Sequence, residues 1–159
     1  MRPKSGRNVA FVLAILLVGC EEPPPCQFAG VSAQAPSAGC LVLRPQGVLL
    51  VESPRQQWGP PGGSVGQGEA AQCAAARETW EETGLAVSVG RLARRFDNGF
   101  HLYWCQPRDE TEPHRRRPFE VYSVGYVAPE DFVSVSWRYA EQGAQLKKLI
   151  DEERSKLNE

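Results

Sequence analysis

The sequence has almost no net charge, because 18 lysines and arginines face 19 aspartates and glutamates among its 159 residues. The net charge is −1 and the pI is near 6.2. Without a basic excess, the chain lacks the electrostatic signature of a protein that binds nucleic acid in bulk. It also lacks an internal repeat, and no Cys-x-x-Cys pair or Cys/His spacing indicates a zinc site.

No apolar run is long enough to span a bilayer comfortably. The longest, at residues 9–19, follows a basic segment that carries Arg2, Lys4 and Arg7. A basic start followed by a short apolar run is typical of a secretory signal peptide. A short transmembrane anchor is the competing interpretation.

Cys20 directly follows that run, in the sequence LVGC, which resembles a bacterial lipobox. The resemblance implies that residues 1–19 are a signal peptide and that Cys20 is lipidated as the first residue of the mature protein. Glu21 follows, rather than the aspartate that resembles an inner-membrane retention signal, so we expect an outer-membrane anchor facing the periplasm. If the lipobox is not used, an uncleaved signal anchor still places the protein outside the cytoplasm.

Residues 20–38 are rich in proline, alanine, glycine and serine, which predicts an extended tether after the lipidated cysteine. Residues 39–159 then form the folded domain. Removing the signal leaves roughly 140 residues, enough for one domain with a hydrophobic core.

Four further cysteines form an even set, which in an oxidising compartment predicts disulfide bonds. They are Cys26, Cys40, Cys73 and Cys105. Three pairings are possible and the sequence does not choose among them; buried thiols are the alternative. Cys73 is expected to act as a staple or a packing residue.

The apolar pattern predicts alternating strands and helices around one mixed sheet. Two runs, 40–44 and 48–52, flank a Pro-Gln-Gly turn and are typical of a hairpin. Further strands are predicted at residues 85–92, 100–105 and 119–127, and helices at 69–83 and 139–157. The buried face predicted for the second helix consists of Ala140, Leu146, Leu149, Ile150 and Leu157.

Three carboxylates share one face of the first predicted helix, because Glu78, Glu81 and Glu82 stand at i, i+3 and i+4. Their repulsion, roughly 0.2–0.5 kcal/mol per pair, and the helix dipole both disfavour the cluster. A compensating cation is therefore expected, and hard oxygen ligands suit Mg²⁺ or Mn²⁺. Arg77 can pair with one glutamate and hold it in position. A solvated acidic helix face is the alternative.

Glycines flank this helix in positions that suit a binding site. Gly62 and Gly63 allow close approach of the backbone to a phosphate or metal, and Gly84 ends the helix. The stretch 63–85 resembles the Nudix box of the Nudix hydrolase family. The positions in register are Gly63, Glu69, Arg77, Glu78, Glu81, Glu82, Gly84 and Leu85. The one departure is Thr79, which stands at an aliphatic position of the pattern.

The resemblance implies an α/β/α sandwich with a mixed sheet. It also implies a hydrolase that cleaves a diphosphate linked to a nucleoside or similar group, by attack of water on phosphorus. It further implies that Glu78, Glu81 and Glu82 bind the metal, with the carbonyl of Gly62 as a further ligand, and that Arg77 orients the carboxylates. The alternative is an exported nucleotide-binding module of the same fold without turnover, although intact Glu81 and Glu82 argue against it.

The catalytic base and the substrate contacts are less defined by the pattern. Glu82 can act on the attacking water, and Glu120 is the preferred external base because it opens a predicted strand after an arginine-rich loop. Glu110 and Glu112 are rivals, although a solvated loop charge is the more common role for a glutamate in such a loop.

The loop 114–117, which includes Arg116, can bind phosphates. Trp58 and Phe100 can stack a base. Tyr103 lies about where diadenosine-polyphosphate hydrolases of the family carry a tyrosine. All three aromatic residues can equally be packing residues. The sequence does not identify which diphosphate compound is the substrate.

Overall fold

The computed structural model describes residues 22–28 and 30–157, except for the side chain of Leu157. The strands are β1 (Ser37–Arg44), β2 (Gly47–Glu52), β3 (Trp58–Gly59), β4 (Gly62–Ser64), β5 (Val87–Arg95), β6 (Phe100–Pro107) and β7 (Ser123–Val127). The helices are α1 (Ala71–Thr83) and α2 (Gln142–Leu157), with a 3₁₀ helix at Pro129–Ser134.

These seven strands form one mixed sheet. Its main order is β3-β2-β1-β6-β5, while β4 pairs with β1 and β7 pairs with β2. The β1–β6 pair is parallel, and the other pairs are antiparallel. The mixed sheet confirms the predicted fold class.

Side chains of β1 alternate between two hydrophobic cores, as the period of a strand requires. Ala38, Cys40 and Val42 pack with the alanines of α1. Leu41 points to the other side and packs with Leu146 and Ile150 of α2. The two helices therefore cover opposite faces of the sheet, which makes the α/β/α sandwich.

Several predicted boundaries were wrong, among them both ends of the strand predicted at 85–92, which runs from Val87 to Arg95. Helix α1 begins at Ala71 rather than Glu69, and α2 begins at Gln142 rather than at residue 139, which leaves Ala140 exposed before the helix. The predicted strand 119–127 shortens to β7, because a turn comes first, with the N–H groups of Glu120 and Val121 both bonded to the carbonyl of Arg117. The apolar pattern misled there because Val121 is buried without being in a strand. Predicted Leu157 lies at the end of α2, where its side chain is outside the described part.

Two disulfide bonds, Cys26–Cys73 and Cys40–Cys105, select one of the three possible pairings. The second joins the neighbouring strands β1 and β6. The bridged residues are 47 and 65 positions apart, so each bond contributes about 4 kcal/mol in the chain-entropy model. Cys73 is the staple that the sequence predicted.

The segment before β1 lies against the domain, which differs from the extended tether predicted for residues 20–38. Cys26 is bonded to α1, the carbonyl of Gln27 accepts from the N–H of Val89 at 2.9 Å, and Ala33 binds the side chain of Gln72. Strand β1 also begins at Ser37, inside the predicted tether. The predicted signal peptide and Cys20 lie outside the described residues. Within 22–28 and 30–157, no helix has both the length and the apolar character needed to cross a membrane.

Candidate active site

Helix α1 presents its three glutamates beside β4 and the arginine-rich loop. Gly84 ends the helix in the left-handed conformation (φ 76°), and its N–H donates to the carbonyl of Trp80 at 2.8 Å. The positive φ disfavours any other residue there, and a Cβ on Gly84 would also force the ring of exposed His114 to move. Thr79, the departure from the family pattern, is fully buried and donates its hydroxyl to the carbonyl of Ala75 at 2.7 Å. Its polar group is therefore satisfied inside the helix.

Arg77 is the central cation of the carboxylate face. It donates two hydrogen bonds to Glu69, at 2.9 and 3.0 Å, and others to Glu78 at 2.7 Å and Glu81 at 3.2 Å. It also donates to the carbonyl of Ser64 at 2.9 Å, which fixes the guanidinium against β4. The hydrogen bonds to Glu69 are the largest cause that raises the pKa of Arg77, and the same pairing lowers the pKa of Glu69.

Glu69 lies before the helix, not on it. Its carboxylate also accepts the N–H of Gly66 at 2.8 Å, so it holds the turn that leads into α1. The glutamate at this position of the family pattern therefore fixes Arg77 and the turn before α1.

Glu82 is the most desolvated member of the carboxylate set. Its residue is 8% exposed, and one oxygen accepts the N–H of Gly62 at 2.9 Å. Burial, opposed by this hydrogen bond and reinforced by the nearby charge of Glu78, raises the pKa of Glu82 to about 7. A buried carboxylate with an elevated pKa is one that a cation would stabilise.

Gly63 makes room for the carboxylate of Glu78. A Cβ on Gly63 would lie 2.6 Å from Cδ of Glu78, so any larger residue would displace this carboxylate. Gly62, the predicted carbonyl ligand, lies directly against Glu82 through its N–H.

The arginine-rich loop closes over the end of α1. The N–H groups of His114 and Arg116 donate to the carbonyls of Thr83 and Glu82, at 2.9 and 3.3 Å. The guanidinium of Arg116 stacks 3.7 Å from the ring centre of Trp80. The loop therefore caps helical carbonyls and places cations at the negative end of the helix dipole.

Arg117 joins two of the predicted functional glutamates. It forms ion pairs with Glu81 and with Glu120, the latter at 3.0 Å. The Glu120 side chain is 61% exposed and lies in the turn before β7 instead of in a strand. This is the link that brings Glu120 to the carboxylate face.

The chemistry of the donor set fits a divalent cation. Glu78, Glu81 and Glu82 offer only carboxylate oxygens, the ligands that Mg²⁺ and Mn²⁺ prefer. As they stand, Glu78 and Glu81 face arginines and Glu82 faces Gly62. In this arrangement, no three His, Cys, Asp or Glu side chains across the described part of the chain are grouped closely enough to hold a metal, so the three glutamates would have to leave these partners to bind one together.

Other predicted residues lie away from the carboxylates. Glu110 is 92% exposed and pairs with Arg44 at 2.8 Å, and Glu112 is also exposed. Tyr103 is 2% exposed in the core on the α1 side, where its hydroxyl lies 3.2 Å from Nδ1 of His101. Trp58 is half-buried against the core on the α2 side. For both aromatic residues the structure provides a packing role.

A cleft of about 400 Å³ opens beside β4. Its lining comprises Ser37, Pro60, Gly62, Gly63, Ser64, Phe96, Asp97, Asn98, Phe100, Arg138, Tyr139, Glu141, Gln142 and Gln145. Phe100 was among the sequence candidates, whereas the residues from 138 to 145 were missed. No local motif marks them, because they reach the cleft only through the packing of α2 against the sheet.

Comparison with known proteins identifies the family. The NUDIX domain model matches residues 33–150. A MutT-like protein of Streptomyces ambofaciens is 31% identical over 112 residues, 66% of this chain and 69% of that protein. Diphosphoinositol polyphosphate phosphohydrolase 2 of Rattus norvegicus is 46% identical over 66 residues, but the match covers only 38% of this chain and 37% of the relative.

Solved structures agree on the fold. An Ap4A hydrolase binary complex from C. elegans has a TM-score of 0.61 at 22% identity, over 75% of this chain and 98% of that one. A MutT protein from Methanosarcina mazei Go1 also has a TM-score of 0.61, at 19% identity, over 79% and 99% of the two chains. The chain belongs to the NUDIX domain family and is a Nudix pyrophosphohydrolase.

Proposed function

We propose that this enzyme cleaves the diphosphate bond of a nucleoside diphosphate linked to another moiety, by water attack on phosphorus, and that it requires a divalent metal. The observation that carries the proposal is the carboxylate face of α1, where Glu78, Glu81 and buried Glu82 lie beside the Gly62–Ser64 strand. The names of three structural neighbours, an Ap4A hydrolase, an ADP-ribose pyrophosphatase and a UDP-X diphosphatase, are consistent with this substrate class, whereas the diphosphoinositol polyphosphate phosphohydrolase is named for a substrate without a nucleoside.

Glu78, Glu81 and Glu82 would hold Mg²⁺ or Mn²⁺, with the carbonyl of Gly62 as a further ligand. When bound, such an ion neutralises phosphate oxygens and lowers the pKa of the attacking water. Arg77 keeps two of these carboxylates in place through its contacts with Glu78 and Glu81.

Glu120 is the proposed external base. Arg117 holds it next to Glu81, and its exposed carboxylate can meet a water that approaches the carboxylate face. Glu82 is the second candidate base, but one of its two carboxylate oxygens already accepts the N–H of Gly62. Arg116, held over Trp80, is proposed as a phosphate contact at the same end of the helix. Buried Tyr103 has no part in this proposal.

A panel of diphosphate compounds tests the reaction class. With Mg²⁺, the purified protein is expected to convert at least one nucleoside diphosphate-linked compound into a nucleoside monophosphate and a second phosphorylated product. EDTA should abolish this turnover, and excess Mg²⁺ should restore it. Product analysis by phosphorus NMR is the measurement. Absence of turnover across the panel would favour the alternative, a nucleotide-binding module without catalysis, and turnover that persists in EDTA would contradict metal dependence.

We further propose that residues 1–19 are a signal peptide and that lipidated Cys20 anchors the protein in the outer membrane, facing the periplasm. The basic start, the short apolar run and the LVGC sequence support this location. The two disulfides are consistent with an oxidising compartment. One acyl chain binds membranes only marginally, so stable anchoring requires the several chains of a lipidated N-terminal cysteine.

Replacing Cys20 by serine is expected to abolish metabolic labelling with a fatty-acid analogue and to leave a longer, uncleaved precursor. Cys26→Ser is the matched control, because it changes a cysteine of the same segment that is bonded to Cys73. The control should keep its label. An unlabelled wild-type protein that fractionates with soluble cytoplasmic material would refute both the lipid anchor and the signal anchor.

A further inference from the structure

The segment in front of β1 is attached covalently to the helix that carries the three glutamates. We call residues 22–28 and 30–36 the strap. Cys26 of the strap is bonded to Cys73, which lies in the first turn of α1. Most of the strap precedes residues 33–150, the part of the chain that the NUDIX domain model matches. The attachment therefore lies outside the matched domain.

The strap caps the N-terminal end of α1. Ala70, at the N-cap position, has no side-chain group that could bond a helical N–H, and the N–H of Ala71 donates instead to the carbonyl of Ala33 at 2.8 Å. The side chain of Gln72, which is 4% exposed, also bonds the strap. Its Nε2 donates to the carbonyl of Val31 at 2.8 Å, and its Oε1 accepts the N–H of Ala33 at 3.1 Å. The strap thus supplies the cap that the local sequence lacks.

The strap also holds the turn from which Glu69 reaches the site. The carbonyl of Pro36 accepts the N–H of Val65 at 3.2 Å, so the strap is bonded on both sides of Glu69, at Val65 and at the first residue of α1. Glu69 in turn accepts the N–H of Gly66 and two hydrogen bonds from Arg77. Because Arg77 bonds two of the three glutamates, a continuous set of contacts runs from the strap to the carboxylate face.

The two disulfide bonds differ in their exposure to a reductant. Cys26 is exposed and Cys73 is half-buried, whereas Cys40 and Cys105 are 0% and 4% exposed. Thiol–disulfide exchange requires the attacking thiolate to reach a sulfur atom. A dithiol is therefore expected to open Cys26–Cys73 while the bond between β1 and β6 stays closed.

The disulfide is the main restraint on the first part of the strap. Phe28 and Val31 are 37% and 89% exposed, so these apolar side chains contribute little buried area. The carbonyl of Pro25 accepts a hydrogen bond from Arg108 at 2.7 Å, but this contact is exposed and water can replace it. Once the disulfide is open, the strap can leave α1.

We propose that Cys26–Cys73 is a redox-sensitive bond through which a dithiol reductant, such as a protein with two neighbouring thiols, loosens the first turn of α1 and the turn that holds Glu69. A thiolate of the reductant attacks the exposed sulfur of Cys26, and Cys73 leaves as a thiolate. The second thiol of the reductant then displaces Cys26 from the mixed disulfide. The reductant ends as a disulfide, and the two cysteines end as thiols that carry the two protons it released. The effect on metal binding, a weaker hold of the carboxylate face on its cation, rests on the proposed function.

Hydrogen exchange followed by NMR, in metal-free wild-type protein before and after treatment with dithiothreitol, tests the strap. Mapping of alkylated thiols identifies the concentration that opens only Cys26–Cys73. At that concentration the amides of Val65, Gly66 and Ala71 should exchange at least about tenfold faster, because they lose their bonds to the strap or to Glu69. The amide of Gly84, at the other end of α1, is the internal control and should change less than about threefold.

The double variant Cys26→Ser/Cys73→Ser reproduces the open state without a reductant. Its Val65, Gly66 and Ala71 amides should exchange as fast as those of the reduced wild type, and dithiothreitol should cause no further change. Its affinity for Mn²⁺ should be at least about threefold weaker than that of the oxidised wild type. If this variant does not fold, reduced wild-type protein with its free thiols alkylated and the reductant removed takes its place.

Three results would overturn the inference. They are opening of Cys40–Cys105 at the same dithiothreitol concentration as Cys26–Cys73, unchanged exchange of Val65, Gly66 and Ala71 after reduction, or equal Mn²⁺ affinity in the open and closed proteins. A wild-type protein that binds no Mn²⁺ would refute the metal requirement alone. The exchange of Gly66, whose N–H is bonded to Glu69, then still decides whether the strap positions the site.

Discussion

Replacing Glu82 by glutamine is expected to lower kcat for diphosphate hydrolysis by about a thousandfold, which corresponds to ~4 kcal/mol of transition-state stabilisation. The substitution removes a proposed metal-binding charge and keeps the shape of the side chain. The amide oxygen can still accept the N–H of Gly62, so the local backbone should be retained. Glu110→Gln is the control, because the side chain of that glutamate is 92% exposed and pairs with Arg44 of β1. A Glu82→Gln enzyme with near-normal kcat would refute the role.

The same variant should be more stable than the wild type in EDTA at high pH. The pKa of Glu82 in the folded protein is about 7, above its ordinary value of 4.5. Between these two values Glu82 stays protonated in the folded state but is ionised in the unfolded state. The free energy of unfolding therefore falls as the pH rises through this range, and the full destabilisation applies above pH 7. The cost is about 3 kcal/mol, because each unit of pKa difference corresponds to about 1.4 kcal/mol. We expect the Tm of Glu82→Gln to exceed that of the wild type by roughly 10 °C at pH 8.5. At pH 5 the gain should be much smaller, and an equal gain at both pH values would contradict this assignment.

Arg77→Gln is expected to lose both stability and activity. The substitution removes the cation shared by Glu69, Glu78 and Glu81 and leaves three neighbouring carboxylates without it. Because the Arg77 side chain is 27% exposed, the loss should lie between that of exposed and fully buried ion pairs, at about 2 kcal/mol in the metal-free protein. The kcat/KM should fall about a hundredfold as the carboxylates lose their positions.

Denaturant unfolding and steady-state kinetics measure the two effects. Arg91→Gln is the matched control, since Arg91 makes one exposed ion pair, with Glu153, and should lose less than about 1 kcal/mol. Arg77→Lys keeps the charge but loses the bidentate hydrogen bond to Glu69. Its stability and its kcat/KM should therefore lie between those of the wild type and those of Arg77→Gln. Equal losses in Arg77→Gln and Arg91→Gln would mean that Arg77 is an ordinary surface cation.

The local part of the site could be predicted from the sequence because it is set by helical spacing. Glu78, Glu81 and Glu82 lie on one face of α1 as their spacing predicts, and Arg77 reaches two of them from the same helix. Glu69 was misplaced onto the helix. Its carboxylate accepts hydrogen bonds from the N–H of Gly66 in the preceding turn and from Arg77. The spacing of residues along a helix predicts neither contact.

Features made by tertiary packing could not be predicted. Gln142 reaches the cleft only because α2 packs on the opposite sheet face from α1, and nothing in its local sequence signals this position. Glu120 was selected as the start of a strand, but it meets the site through Arg117 and a turn. The cysteine pairing likewise depends on the parallel neighbours β1 and β6, which sequence spacing does not specify.

Binding of Mn²⁺, followed by the electron paramagnetic resonance signal of the free ion, tests most directly whether the carboxylate face of α1 holds a divalent metal. The wild-type protein should deplete the free signal with a defined stoichiometry, and Mg²⁺ should compete. Glu81→Gln should bind at least tenfold more weakly, whereas Glu110→Gln should match the wild type. A wild-type protein that leaves millimolar Mn²⁺ free, or a Glu81→Gln variant that binds as tightly as the wild type, would contradict the account.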